Sequence, residues 1–228
     1  FNHRHHFSVM RAKEVIDSGR LGRIVAINGV YGKSKILTYD KTKWRASHAL
    51  AGGGILLDQG IHMVDLMLFF HGGFDEVKSF ISNSRWQYDV EDNVAAIMKD
   101  SNGTIAVLHS SATLWEHTFR LFISLEHGSV ELKGILSGSK SYGQEQIRII
   151  SSNTIDELDI PKIEQYQYET DPSWGLEIEI FMNCLNGVMG PRGLGYAQSS
   201  VDAALGAMRL IERIYSADVE WNTKFRVN

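Results

Sequence analysis

Asp58, His62 and Asp65 stand four and three residues apart inside an otherwise apolar run, Ile55 to Phe70. On a helix this spacing puts all three on one narrow stripe, so the Asp58 carboxylate can orient the His62 imidazole and stabilise its charge as it accepts a proton. Proton transfer is the chemistry the segment suits. Unpaired polar groups in an apolar setting cost on the order of 1 to 3 kcal/mol each, so the stripe needs partners or a cavity. The competing reading is a hydrogen-bonded structural pair that caps the turn Gly52-Gly53-Gly54.

Further candidates lie in a stretch where Lys33, Lys35, Lys41, Lys43 and Arg45 oppose a single acid, Asp40, with Trp44 among them. Such a loop suits an anionic ligand, a phosphate, a uronate or a nucleotide-sugar diphosphate, and Trp44 can stack on a sugar face. The alternative is a solvated surface loop. Trp115 and His117 follow a predicted strand and form a second rank of ligand contacts, with a place in the core as their plain alternative. His3, His5, His6, His48, His62 and Asp58 are weighed as a divalent metal set. Neighbours such as His5 and His6 point apart on most backbones, and no Cys or His-x-x-x-His pair supports the set, so no metal is expected.

The elements that must position these groups follow from periodicity and turn signals. Ser8 is expected to cap a helix with Val9, Ala12, Val15 and Ile16 on one face, stopped by Gly19, and Arg23 to Tyr31 reads as a strand. Ile55 to Phe70 is apolar nearly all round, so that helix should be buried. Short strands follow at Val77 to Trp86, Asn93 to Met98, Thr104 to Ala112, Phe119 to Leu125, Ser129 to Leu132 and Ile147 to Ile150, with Asp100-Ser101-Asn102-Gly103 as a hairpin turn. Two helices close the chain. Asp171-Pro172 starts the first, whose apolar face is Trp174, Ile178, Phe181 and Leu185 up to Gly187. Ser199 or Ser200 starts the second, with Val201, Leu205, Met208, Ile211 and Tyr215 at helical spacing. The fold class is α+β, one domain over residues 1–228, a large, mainly antiparallel open sheet with helices on one face.

Composition bounds the partners. With 228 residues, a net charge of -4 and a pI near 6.1, the chain offers no overall electrostatic attraction to nucleic acid or an anionic membrane surface. The longest apolar segment is interrupted by Asp58, His62 and Asp65, which argues against a membrane span. Cys184 has no second cysteine to pair with and falls in an apolar helical pattern, so a buried, inert thiol in a reducing cytoplasm is expected. No G-x-G-x-x-G or P-loop spacing is found, and Gly190, Gly193 and Gly195 miss it, so no dinucleotide phosphate cradle is visible. Residue 1 is Phe, which suggests a removed upstream segment.

The run Gly52-Gly53-Gly54-Ile55-Leu56-Leu57-Asp58-Gln59-Gly60-Ile61-His62-Met63-Val64-Asp65-Leu66 resembles the G-G-G-x-L-x-D-x-G-x-H-x-x-D-L segment of the Gfo/Idh/MocA oxidoreductases. Ser18 to Ile24, Trp44-Arg45, Glu91-Asp92-Asn93 and Ala203 to Ser216 fit the same family in order, and residues 1–6 resemble the junction just after its N-terminal Rossmann domain. Phe7 stands where many members have proline. The resemblance implies the family's C-terminal domain, of the dihydrodipicolinate-reductase-like type, without the Rossmann domain and its E-K-P segment. It implies NAD or NADP, held mainly by that other domain, and a sugar, polyol or nucleotide-sugar substrate. It also implies a homodimer or homotetramer through the open sheet face. His62 would be the general base and Asp58 its positioning group, with Asn2 and Arg4 near the cofactor and Trp44 and Arg45 near the nicotinamide or substrate. Asp65 would be structural. A non-catalytic sugar-binding or oligomerisation module is the alternative, expected to bind sugar without cofactor, and a metal-dependent hydrolase or isomerase is a third reading.

Overall fold

A computed structural model of the chain describes residues 1–34, 44–138, 140–152, 160–186 and 201–225. Its strands are β1 Ile24–Gly32, β2 Glu76–Ser82, β3 Asn93–Lys99, β4 Ile105–Ser111, β5 Thr118–Leu125, β6 Gly128–Lys133, β7 Glu145–Ser151 and β8 Lys162–Tyr168. They form one eight-stranded sheet in the order β2-β3-β4-β1-β5-β6-β7-β8. Every pairing is antiparallel except β1 with β4, which run parallel. The expected strands are all present. Sequence reading missed β8, because Lys-Ile-Glu-Gln-Tyr-Gln-Tyr at a sheet edge is largely exposed and lacks the alternation of a half-buried strand.

One face of the sheet is covered. Val94, Ala96 and Met98 of β3, Ala106 and Leu108 of β4, Phe119, Leu121 and Ile123 of β5 and Ile147 and Ile149 of β7 all point into the core. Their neighbours alternate outward, as a two-residue period requires. Against this face lie a 3-10 turn, Asn2–His5, then α1 Phe7–Asp17. A second 3-10 turn, Trp44–Ala46, leads into α2 His48–Ala51. A π-helical turn, Leu56–Gly60, then runs without a break into α3 Ile61–His71. The last helices are α4 Ser173–Leu185, α5 Val201–Ala217 and α6 Val219–Phe225.

The central helix is buried as its composition demands, with Met63, Val64, Leu66 and Met67 fully inaccessible. It approaches β1 at Gly29, where an added Cβ would lie 2.5 Å from the Met67 methyl and 2.8 Å from Met63. The helical stretch His48–His71 is apolar enough by composition to cross a membrane, and two-thirds of its apolar window is buried within the fold.

Four expectations change. Ser8 does not cap α1: the helix begins at Phe7, two residues before a Ser8 cap would start it, and the Ser8 amide donates to Glu145 Oε1 at 2.7 Å, so a buried carboxylate from β7 meets its first turn. Pro172, not Asp171, is the cap residue of α4, and Asp171 one residue before it accepts the Ser173 amide at 2.9 Å; the helix also faces the other way from expectation. Trp174, Ile178 and Phe181 are 61% exposed and Leu185 66%, while Ile180 packs inward. In α5 the buried positions are Ala207, Leu210, Ile211 and Ile214, with Val201, Leu205 and Met208 outside. Because α4 turns its apolar side outward, Cys184 is exposed, which corrects the buried thiol. Gly187, Gly190, Gly193, Gly195, Ser199 and Ser200 lie outside the described residues, as do Lys35, Asp40, Lys41 and Lys43.

Candidate active site

The polar stripe of the central helix sits where the C-terminal end of β1 meets the start of that helix. Glu91, just before β3, fixes the start. Its carboxylate accepts the Gly54 amide at 2.7 Å, the Leu56 amide at 3.0 Å and the Tyr215 hydroxyl at 2.8 Å. A negative group is favoured at a helix N-terminus because the first amides have no partner within the helix. Burial pushes the Glu91 carboxyl up, and these donors hold it back down. The close fit explains the glycines: a Cβ on Gly54 would lie 2.2 Å from the Glu91 carbonyl oxygen.

The π-helical turn carries Asp58, whose carboxylate faces Lys33 and Arg45. Asp58 Oδ2 lies 3.6 Å from Lys33 Nζ, and Oδ1 lies 3.5 Å from Arg45 Nε. Among the described residues no hydrogen bond joins Asp58 to His62, although the Asp58 charge still favours the protonated imidazole. In the structure Asp58 acts on His62 through its charge rather than through a hydrogen bond. Arg45 also stacks over the half-exposed Trp44 ring, 5.0 Å from its centroid.

His62 is clamped by rings. Its imidazole lies parallel to that of His3, with centroids 4.0 Å apart and planes at 14°, and the Phe1 ring meets it edge-on at 5.8 Å. Its Nδ1 is buried without a hydrogen-bond partner. Burial, with the Phe1 amino group, lowers the His62 pKa to about 4, against the opposing charges of Asp58 and Glu177. The imidazole is therefore neutral at ordinary pH and able to accept a proton.

Asp65, fully buried, pairs in two places with Arg4: Nε to Oδ2 at 2.8 Å and Nη2 to Oδ1 at 2.5 Å. This is the structural role expected of Asp65, and it ties Arg4 to the central helix. The Asn2 amide donates to Ser173 Oγ at 3.1 Å. Both Asn2 and Arg4, expected near a cofactor, thus turn their side chains into the protein. His117 Nδ1 lies 2.7 Å from Ser141 Oγ, and its ring is 5.5 Å from that of Tyr142. Trp115 is 84% exposed and stands apart from these rings.

Sequence reading missed Tyr31, Tyr142 and Gln59. Tyr31 ends β1, lies edge-on to Phe119 and Tyr142, and reaches His3 Nε2 at 3.2 Å. Gln59 donates to the Tyr142 hydroxyl at 2.5 Å. Burial pushes both phenols up, and the Asp58 charge adds to it. A tyrosine at a strand end gives no pattern of its own; only the register that sets β1 beside β5 brings these rings together. Of the histidines considered for metal, His6 pairs with Glu145, its Nδ1 lying 3.0 Å from Oε2, and among the described residues no three acids, histidines or cysteines are grouped to hold an ion.

Residues 9–131 match the family profile described as the GFO/IDH/MocA C-terminal domain. Levoglucosan dehydrogenase of Pseudarthrobacter phenanthrenivorans is 25% identical over 154 residues, 57% of this chain and 39% of the relative. A 1-carboxy-3-chloro-3,4-dihydroxycyclohexa-1,5-diene dehydrogenase of Comamonas testosteroni is 30% identical over 107 residues, 46% of this chain and 26% of the relative. The chain thus aligns with well under half the length of these relatives. The solved structure of levoglucosan dehydrogenase with NADH and levoglucosan superposes with a TM-score of 0.73 at 18% identity, over 96% of this chain and 63% of that one.

Proposed function

The chain belongs to the GFO/IDH/MocA family of oxidoreductases as its C-terminal domain, and from that premise we propose that it supplies the substrate-binding and acid-base half of a nicotinamide-dependent dehydrogenase. The substrate class is a sugar, polyol or nucleotide sugar bearing an oxidisable hydroxyl. The observation that carries this reading is His62: an imidazole kept neutral, clamped between two rings, beside a carboxylate already matched by Lys33 and Arg45.

In this reading His62 takes the hydroxyl proton at Nε2, since Nδ1 is closed off. Asp58 stabilises the imidazolium through space, and Lys33, Arg45 and Trp44 border the substrate, with room for an anionic group. His117 and Trp115 are outer contacts. The residues present would meet only the reacting end of a dinucleotide, because His62 is set among the rings of His3 and Phe1 whereas these 228 residues hold no glycine cradle for a diphosphate. When bound, the nicotinamide accepts the hydride. A separate dinucleotide-binding domain would hold its phosphates, and the exposed stripe Trp174, Ile178, Phe181 and Leu185 of α4 is the surface on which that domain would rest. The backbone nitrogen of Phe1 lies 3.0 Å from Glu177 of that helix, and the Phe1 ring edges His62. Asn2 and Arg4 hold this junction in place.

His62→Ala in the full dehydrogenase is expected to lower kcat by about 10²–10⁴-fold with an unchanged circular dichroism spectrum. Near-normal turnover would remove His62 from the chemistry.

The open face of the sheet is assigned to a second copy of the chain. Ile97, Val107, Asn28 and Phe122 lie on one row across β3, β4, β1 and β5, apolar but for the asparagine, and Phe80 on β2 is 81% exposed. An apolar patch on the middle of an uncovered sheet marks an association surface. Sedimentation equilibrium should give a mass of at least two chains, and Val107→Lys should return it to one.

A further inference from the structure

We propose that His3 is a positioning residue for His62, a flat ring locked in one tautomer against which the proton acceptor lies and which sets its orientation. The inference rests on His62 as the acceptor, but its geometry stands alone. The Asn2 side-chain carbonyl oxygen, 3.0 Å from His3 Nδ1, can only accept, so that nitrogen carries the proton. Nε2 is then a lone pair, and the Tyr31 hydroxyl, 3.2 Å away, donates to it. Each anchor is itself held. The Asn2 amide nitrogen donates to Ser173 at the start of α4, and Tyr31 is wedged between Phe119 and Tyr142. A continuous chain, Ser173 to Asn2 to His3 to Tyr31, thus joins the first turn of α4 to the end of the central strand, and His62 borrows its rigidity by stacking.

The arrangement also explains why the unpartnered Nδ1 of His62 does not leave the ring free to turn. With no hydrogen bond to set its rotation, the ring is fixed by the parallel face of His3 on one side and the edge of Phe1 on the other. Burial, followed by the charges that His62, His6 and the Phe1 amino group would carry, holds His3 well below the ordinary histidine range. The charged or titratable groups facing the pair are Asp58, Glu177, His6, the amino group of residue 1 and Tyr31. Two stacked imidazoles cannot both be charged at small cost, so a neutral His3 leaves the proton to His62.

The test is nitrogen NMR of the imidazoles in this chain, which reads tautomer and titration directly and needs no cofactor. In the unsubstituted chain His62 should show a single tautomer. His3→Ala should let water reach the ring, average its two nitrogen signals, and raise its titration midpoint by about one pH unit. His3→Phe, which keeps the flat face, should restore the single tautomer. Tyr31→Phe, which removes only the hydroxyl that fixes His3, should broaden the His3 signals and perturb His62 less than His3→Ala does, and it serves if His3→Ala fails to fold. Unchanged His62 signals in a folded His3→Ala chain, or in Tyr31→Phe where the alanine variant is unfolded, would overturn the positioning role. The acceptor role itself is decided separately, by turnover of His62→Ala.

Discussion

The central helix and α4 are both rich in large apolar side chains, and they meet opposite surroundings. In the first, Met63, Val64, Leu66 and Met67 are fully buried, and its polar groups are matched by Arg4, Lys33 and Arg45 or clamped by rings. In the second, a stripe of four large apolar residues faces solvent. Apolar periodicity therefore shows that a face will be covered without showing what covers it. Where the chain itself provides the cover, the helix holds the site. Where the described residues do not, as on α4, the stripe stays exposed.

The difference is sharpest at Asp65. Asp65→Ala leaves the buried Arg4 guanidinium without its carboxylate and should cost about 3–5 kcal/mol, read as a lower midpoint in urea unfolding with unchanged slope. A loss below 1 kcal/mol would mean the pair is not the clamp described.

Acid should weaken the same region. The His62 pKa is lowered to about 4 in the folded chain, so between the ordinary histidine value and about 4 the unfolded chain binds the proton first. Stability contributed by the neutral ring is complete above about pH 6.5 and is lost as pH falls through that window, by on the order of 3 kcal/mol from His62 alone. Urea midpoints at pH 7 and pH 4.5 measure it, and His62→Phe should make the dependence shallower, with His3 and His5, also lowered by burial, supplying what remains. Flat stability in the unsubstituted chain would contradict a neutral, buried His62.

The smallest effect is expected on α4. Serine at Trp174, Ile178 or Phe181 should change the stability of this chain by no more than about 0.5 kcal/mol each, whereas a core position would lose 2 kcal/mol or more. A core-sized loss at any of the three would erase the contrast between the helices.

Much of the framework was legible in the residues. The spacing of Asp58, His62 and Asp65 placed a polar stripe on the buried helix, and the hairpin around Asp100-Ser101-Asn102-Gly103 joins β3 to β4 as expected. What was not legible depends on long-range register. The stacking of His3 on His62 joins residues far apart in sequence, and the Tyr31 and Phe119 contact needs β1 to lie beside β5. The π-helical turn was hidden for a different reason, since inserting one residue into a helical turn leaves the apolar composition intact; Asp58, which it carries, faces Lys33 and Arg45. Capping by Glu91 and Glu145 escaped for the same non-local reason: each carboxylate comes from a part of the chain distant from the helix it caps.

The parallel pairing of β1 with β4 bears on the order in which the molecule can assemble. The strands β2, β3 and β4 follow one another and can zip up as neighbouring hairpins, but β1, made first, finds both of its partners only in segments synthesised much later. Closing those long loops costs entropy before any contact repays it, so the strand at the heart of the sheet is a late arrival. Because Tyr31 sits near its end and Asn2 leans on Ser173, the anchor for His3 is finished only when the nascent chain has emerged through β5, Tyr142 and the start of α4; a stalled or truncated product would carry the sequence motif without that anchor.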